Sequence, residues 1–101
     1  MVHYSTIKIG LLKIDVQGAE LLTLRGAQQL LERDRPLVIY EEFEEGYRLF
    51  NYTTTELRRF MNEIEYDLYQ VDNFENFGDV LAIPKEKHFA FTTKYQKVFA
   101  N

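Results

Sequence analysis

The chain has no cysteine among its 101 residues. A disulfide framework and a metal site built from thiolates are therefore both excluded. Its longest apolar runs are far too short to cross a bilayer, and its first ten residues lack the apolar stretch and cleavage site of a signal peptide. The 12 lysines and arginines are scattered, which is not the pattern of a nucleic-acid-binding surface. We expect a cytoplasmic protein without membrane or nucleic-acid partners.

Glycine is also scarce. The five glycines stand at positions 10, 18, 26, 46 and 78, and none belongs to a Gly-x-Gly cluster. Such a cluster allows a backbone to approach a bound cofactor closely. The chain therefore has no glycine-rich cofactor loop of its own.

Apolar and aromatic residues are abundant. Hydrophobic residues make up 46% of the chain, with 7 tyrosines and 8 phenylalanines, which argues against disorder. The length suits one domain with one modest core. We expect a single domain over residues 1–101, with the informative motifs in residues 8–87 and a tail at 88–101 for which no clean period predicts a structure.

The apolar spacing alternates between strand and helix patterns. Residues 7–16 are apolar on both faces, as in a parallel strand covered by helices on both sides. Thr53 and Glu56 have the spacing of a helix capping box. The predicted elements are, in chain order, strand 7–16, helix 19–33, strand 37–42, loop 43–52, helix 53–66 and strands 66–72 and 79–84. This order predicts an α/β fold with a mostly parallel sheet that ends in an antiparallel hairpin.

Acidic residues follow the first two predicted strands. Asp15 ends the first strand, and Glu41 and Glu42 end the second. In open α/β sheets ligands bind beyond the carboxyl ends of the strands. Glu20 lies on the apolar stripe of the following helix and should point inward over this rim. A non-functional explanation is equally open, since Asp commonly caps helices and Glu in a first turn gains about 0.3–1 kcal/mol from the helix dipole.

Three segments together resemble the FkbM-type methyltransferases: LLKIDVQGAELLTLRGAQQLL (11–31), RPLVIYE (35–41) and DVLAIPKEK (79–87). The family pattern is Lys-Ile-Asp-Val, then Glu or Gln, Gly-x-Glu, a leucine-rich helix with Gly-Ala, and Arg-Pro before a strand ending in Glu. The positions that match this pattern are Lys13, Ile14, Asp15, Val16, Gln17, Gly18, Glu20, Leu24, Gly26, Ala27, Pro36 and Glu41.

The resemblance implies a class I, Rossmann-like fold that transfers a methyl group from S-adenosylmethionine to a hydroxyl oxygen of a small molecule or glycan. It implies catalytic roles for Asp15 and Glu20, and cofactor contacts for Asp15, Val16 and Gln17. It implies substrate binding by Glu41 and Glu42. No residue is assigned to a metal, although Glu20 and Glu41 have the oxygen ligands that a hard divalent cation prefers.

One departure from the family bears on the function. The family's cofactor half, with its glycine-rich loop and ribose-binding acid, should precede residues 7–16. This chain therefore resembles the carboxyl-terminal half, strands four to seven of a seven-stranded sheet. A non-catalytic half-domain that serves as a binding or assembly module is an alternative, and a metal-dependent hydrolase is a weaker one.

The family order places the four predicted strands as first, second, fourth and third. The strand at residues 7–16 then has an open edge, which invites pairing with another strand. We expect a homodimer or a partner chain at this edge, unless the amino-terminal residues or the aromatic tail cover it.

We predict that this chain by itself binds S-adenosylmethionine weakly or not at all, because it has neither the glycine loop nor the ribose acid. Titration calorimetry on the purified chain measures this directly. A dissociation constant near the micromolar range, about −8 kcal/mol, would contradict the prediction.

Overall fold

A computed structural model describes residues 8–16, 18–73, 77–87 and 96–99. The elements are β1 (Leu11–Ile14), α1 (Glu20–Gly26), α2 (Gln28–Asp34), β2 (Leu37–Phe43), α3 (Glu44–Arg48), α4 (Thr54–Glu63), β3 (Tyr66–Asn73), β4 (Phe77–Pro84) and β5 (Gln96–Phe99). No helix in these ranges has the length and apolarity that crossing a membrane requires.

Three predicted elements need correction. The helix predicted over residues 19–33 is two helices that meet at Ala27, whose N–H lies within hydrogen-bond distance of two carbonyl groups of α1. The predicted loop over residues 43–52 contains the short helix α3. The tail, for which no structure was predicted, contributes strand β5.

The sheet has the order β1-β2-β4-β3-β5. Its first four strands follow the predicted order, in which β4 lies between β2 and β3. The predicted hairpin is confirmed, because β3 and β4 pair antiparallel from Tyr66 opposite Pro84 to Asn73 opposite Gly78. The sheet is mixed, since β1 and β2 pair parallel while the three other pairings are antiparallel. The expectation of a mostly parallel sheet is therefore not confirmed.

The helices and one face of the sheet share a single core cluster. Side chains alternate along β2, so that Val38, Tyr40 and Glu42 are buried while their neighbours are half-buried. Leu11 on β1 remains 57% exposed, which corrects the expectation that this strand is covered on both faces. The buried apolar residues of the cluster are Ile14, Leu21, Leu24, Leu31, Val38, Tyr40, Tyr47, Tyr52, Leu57, Phe60, Met61, Ile64, Tyr66, Leu68, Val80 and Ala82.

Helix α4 begins where the sequence predicts. The Thr53 side chain accepts a hydrogen bond of 3.1 Å from the backbone N–H of Glu56, which satisfies one donor of the first turn. Glu44 adds a second cap, because its carboxylate accepts the Thr54 N–H at 2.9 Å. Leu57, Phe60 and Met61 then point into the core. Local capping and apolar spacing agree here, and the prediction of this helix is confirmed.

Strand β1 lies at one edge of the described sheet and pairs with β2. The tail strand β5 pairs with β3 at the opposite edge, so this part of the tail does not cover β1. Residues 1–7, the other candidate cover, lie outside the described residues. Pairing of β1 with a second copy or a partner chain stays a prediction.

Two charged residues at the end of α2 form hydrogen bonds at the rim of the sheet where β1 begins. Arg35 has a positive φ of 52° and ends α2 in the left-handed conformation. Its guanidinium binds the Glu86 carboxylate at 2.8 and 3.0 Å and donates to the carbonyls of Ile64 and Glu65. Asp34 accepts the Ile9 N–H at 2.9 Å, which ties the end of α2 to the start of β1. This rim is therefore fixed by hydrogen bonds to charged groups.

Acid should loosen this rim through Asp34. The adjacent Arg33 guanidinium, followed by the Ile9 N–H, lowers the pKa of Asp34 from 3.8 to about 2. A lowered folded-state pKa adds stability that is fully present above the unfolded pKa and is lost as the pH falls through the folded value. We expect the melting temperature to drop between about pH 4 and pH 2, where both of these pKa values lie.

Asp34→Asn removes the titrating group and should flatten part of this drop. Glu86→Gln is the matched variant, because Arg35 lowers the pKa of Glu86 to about 2 as well. Glu86 is far more exposed, so we expect its effect to be the smaller one. Thermal melts followed by circular dichroism measure both. If the melting temperature of Asp34→Asn fell with acid as much as that of the unaltered chain, the decrease could not be assigned to Asp34.

Candidate functional site

Asp15 and Glu41 meet at one rim of the sheet. Ile14, the last residue of β1, lies beside Tyr40 of β2 in a parallel register, so Asp15 leaves the sheet beside Glu41, which is still within β2. Asp79 of β4 is the register partner of Glu41 and adds a third carboxyl group. Burial raises the pKa of Glu41, and the negative charges of Asp15, Glu20 and Asp79 raise it further. These carboxyl groups are therefore close enough to repel one another.

Asp15 and Val16 are the exposed members of the predicted site. Asp15 is exposed, and Val16 leaves 41% of its surface accessible. The helix that follows has its N-cap at Ala19, without a side-chain capping bond. Ala19, and not Asp15, is therefore the N-cap residue of α1, and the role of Asp15 stays a prediction. Gln17 lies outside the described residues.

Glu20 is completely buried, as its position on the apolar stripe predicts. Its two carboxylate oxygens turn back toward the preceding loop and accept backbone N–H groups, from Gly18 at 2.8 Å and from Val16 at 3.3 Å. A buried carboxylate is tolerated when hydrogen bonds replace its water. Glu20 thus holds the loop that carries Asp15. Its predicted catalytic role stays a prediction.

Two tyrosines that the sequence does not indicate form hydrogen bonds to the backbone of the site. The Tyr52 hydroxyl donates to the Gly18 carbonyl at 2.5 Å and accepts the Leu21 N–H at 3.2 Å. The Tyr47 hydroxyl donates to the Glu41 carbonyl, and the two tyrosine rings stack with centroids 4.6 Å apart. Burial raises the pKa of Tyr52 to about 12, so its hydroxyl keeps the proton that it donates.

No spacing rule reveals these tyrosines. Tyr52 contacts residues 31 and 34 positions away, and the segment around it has the composition of a loop. The only available signal is that two tyrosines flank a short stretch following Gly46. Its meaning becomes clear only from the tertiary contacts.

Gly18 and Gly46 allow the loop before α1 and helix α3 to approach each other closely. Gly18 has a φ of 106°, a conformation that side chains rarely adopt. A Cβ atom added to it would lie 2.8 Å from the Gly46 carbonyl oxygen. The glycine of the Gly-x-Glu motif is therefore required by both backbone conformation and space.

Glu42 does not join the other acids. Alternation along β2 turns it toward the core, where it is 8% exposed. The Arg58 guanidinium donates to both of its oxygens, at 2.8 and 2.5 Å, and the Tyr40 hydroxyl donates to one of them at 3.3 Å. Its role in substrate binding stays a prediction, and the geometry shows a partly buried, bidentate ion pair.

The cofactor contacts predicted for Asp15 and Val16 stay a prediction. The exposed Asp15 carboxylate and the apolar Val16 side chain would fit S-adenosylmethionine at this rim, but no Gly-x-Gly cluster supplies the opposite side. Within the described ranges no group of three His, Asp or Glu side chains is arranged to hold a metal ion. An open groove of about 370 Å³ lies at the opposite rim, around Arg35 and Glu65, and is remote from these acids.

Comparison with protein families gives one match. The family model described as "Methyltransferase FkbM domain" matches residues 3–68, well over half of the chain. This range includes Asp15, Glu20 and Glu41. The search of curated proteins gave no match, and the search of solved structures gave none either.

Gly18→Ala should destabilise the fold by about 1–3 kcal/mol, because the new methyl group forces either strained backbone or movement of the Gly46 carbonyl. Gly26→Ala is the matched control. It lies in α1 with open space around it and should be neutral or stabilising by about 0.4–1 kcal/mol. Urea unfolding measures both. Equal effects of the two substitutions would show that the Gly18 contact is not tight.

Proposed function

Since this chain belongs to the FkbM methyltransferase family, we propose that it acts in methyl transfer from S-adenosylmethionine to a substrate hydroxyl oxygen. In this proposal the chain supplies the substrate-side half of the enzyme. The observation that carries it is the meeting of Asp15 and Glu41 at one rim, with Asp15 exposed to an incoming substrate.

Asp15 receives the proton in the proposed reaction. Bound S-adenosylmethionine would supply the methyl group. As the substrate oxygen forms its new bond to carbon, its hydroxyl proton must leave. A carboxylate within hydrogen-bond reach accepts that proton and orients the oxygen beforehand. Asp15 is exposed at the end of β1 and satisfies the requirement of access.

Glu41 binds a neighbouring part of the substrate. Its pKa is raised by burial and by three surrounding carboxyl groups, so a hydrogen bond donated by a substrate hydroxyl would relieve unfavourable charge. The same charges repel a phosphorylated or carboxylated molecule. The rim therefore favours neutral substrates with several hydroxyl groups, such as glycans.

The sheet supports the half-enzyme interpretation. Its order β1-β2-β4-β3, with β4 antiparallel to both neighbours, is the order that the family resemblance implies for strands four to seven. In this proposal the cofactor-binding half of the enzyme adjoins the β1 edge. No contact among the described residues favours the alternatives, an assembly module or a metal-dependent hydrolase.

Methyl transfer is tested with the protein expressed together with the coding sequence directly upstream of Met1. The protein is incubated with S-adenosylmethionine that carries a deuterated methyl group and with sugar, lipid and small-metabolite alcohols. Mass spectrometry then detects the labelled ether. Labelling of a nitrogen or carbon atom instead of oxygen would contradict the proposed acceptor.

In that active protein, Asp15→Asn should lower turnover by about 10²–10⁴-fold, the usual cost of losing a general base. Stability should change by less than about 1 kcal/mol, because the side chain is exposed and does not cap α1. Glu63→Gln, an exposed acid at the opposite rim, is the control and should keep full turnover. Near-normal turnover in Asp15→Asn with a lower melting temperature would assign Asp15 a structural role.

A further inference from the structure

We propose that Tyr52 is the positioning residue that sets the distance between the Asp15 and Glu41 carboxylates. It acts through Gly18 and the first turn of α1, in the loop that carries Asp15, and touches no substrate. This inference rests on the proposed function for its catalytic meaning, but its geometric part stands on contacts within this chain.

The Tyr52 hydroxyl joins the loop before α1 to the first turn of that helix. It donates to the Gly18 carbonyl at 2.5 Å and accepts the Leu21 N–H at 3.2 Å. Helix α1 has no side-chain cap of its own at Ala19, so this tyrosine supplies a partner for one of the unpaired N–H groups of its first turn. Tyr52 therefore fixes both where α1 begins and where the loop before it lies.

Tyr47 connects the same unit to the second acid. Its hydroxyl donates to the Glu41 carbonyl, and its ring stacks on Tyr52 with centroids 4.6 Å apart. Both rings are buried in the core, with Tyr47 0% and Tyr52 5% exposed. The stacked pair thus spans from the loop that carries Asp15 to the strand that carries Glu41.

Backbone contact leaves little room for the loop to shift. The Gly18 Cα lies 3.3 Å from the position that a Cβ on Gly46 would take, in the segment that carries both tyrosines. Glu20 holds the other side of the loop through the Val16 and Gly18 N–H groups. Loss of the Tyr52 hydroxyl would leave one side unsupported and let Asp15 move outward into water.

The experiment compares Tyr52→Phe with the unaltered 101-residue chain by NMR, following the Glu41 carboxyl signal through a pH titration. The charges facing Glu41 come from Asp15 after β1, Glu20 on α1 and Asp79 on β4. If Asp15 moves away, its repulsion weakens and the pKa of Glu41 falls toward its ordinary value. An unchanged pKa of Glu41 in Tyr52→Phe would overturn the proposal.

Tyr66→Phe is the matched control. It removes another buried tyrosine hydroxyl, which donates to the Pro36 carbonyl at 2.7 Å at the opposite rim. We expect a comparable loss of melting temperature but no change in the pKa of Glu41. An equal pKa change in both variants would indicate general loosening of the fold and would also overturn the proposal.

Hydrogen exchange gives a second measurement that needs no substitution. In the unaltered chain the Leu21 N–H is bonded to Tyr52, so it should exchange only through global unfolding. Rapid exchange of Leu21 through local opening would show that Tyr52 does not hold the loop.

The catalytic part is tested in the protein expressed with its upstream coding sequence. Tyr52→Phe should lower kcat by about 10–100-fold, as expected for misplacement of a catalytic group, with a smaller change in KM. A lower pKa of Glu41 with unchanged kcat would overturn the positioning role. Full turnover in Asp15→Asn would instead remove the proposed function and leave the geometric result intact.

Discussion

The buried carboxylate of Glu20 determines how the acidic rim is built. With none of its surface exposed, it depends on backbone N–H groups in place of water, and the loop before α1 supplies them. That requirement holds Val16 and Gly18 close to the start of α1, at the end of the sheet. Gly18 is needed because the resulting turn has a positive φ and touches the backbone at Gly46. Asp15 is exposed at this rim because the loop is held in this way.

The same rim shows two ways in which this protein accommodates acids near its core. Glu20 is neutralised by dipoles of the backbone, whereas Glu42 is paired with the full charge of Arg58. Glu41 has neither arrangement among its described contacts, and burial together with the charges of Asp15, Glu20 and Asp79 raises its pKa. Removing one partner of a buried ion pair is costly, so Arg58 and Glu42 must be retained together. Glu41 is under no such constraint.

The parts that could be predicted from sequence are those with local causes. Helix α4 has its cap and apolar stripe within one short segment, and the β3–β4 hairpin follows from two strands with a short link. The burial of Glu20 follows from helical periodicity. The contacts of Tyr52 join residues 31 and 34 positions away, so no local pattern indicates them. Helix α3 and the bond from Tyr47 to Glu41 are local, but they lie in a segment with the composition of a loop. Period-two alternation places Glu41 and Glu42 on opposite faces of β2, so this local rule already separates the two acids.

Strand β4 has a consequence for the order in which the chain can assemble. It lies between β2 and β3 in the described sheet, so these two strands do not pair with each other. Each of them forms backbone hydrogen bonds to β4, which comes later in the chain. The stretch that matches the family model ends at residue 68, before β4 begins. On a ribosome, the emerging amino-terminal part can form the β1–β2 pair but cannot attach β3 to it. Joining of β3 to the β1–β2 pair therefore waits for residues 77–84.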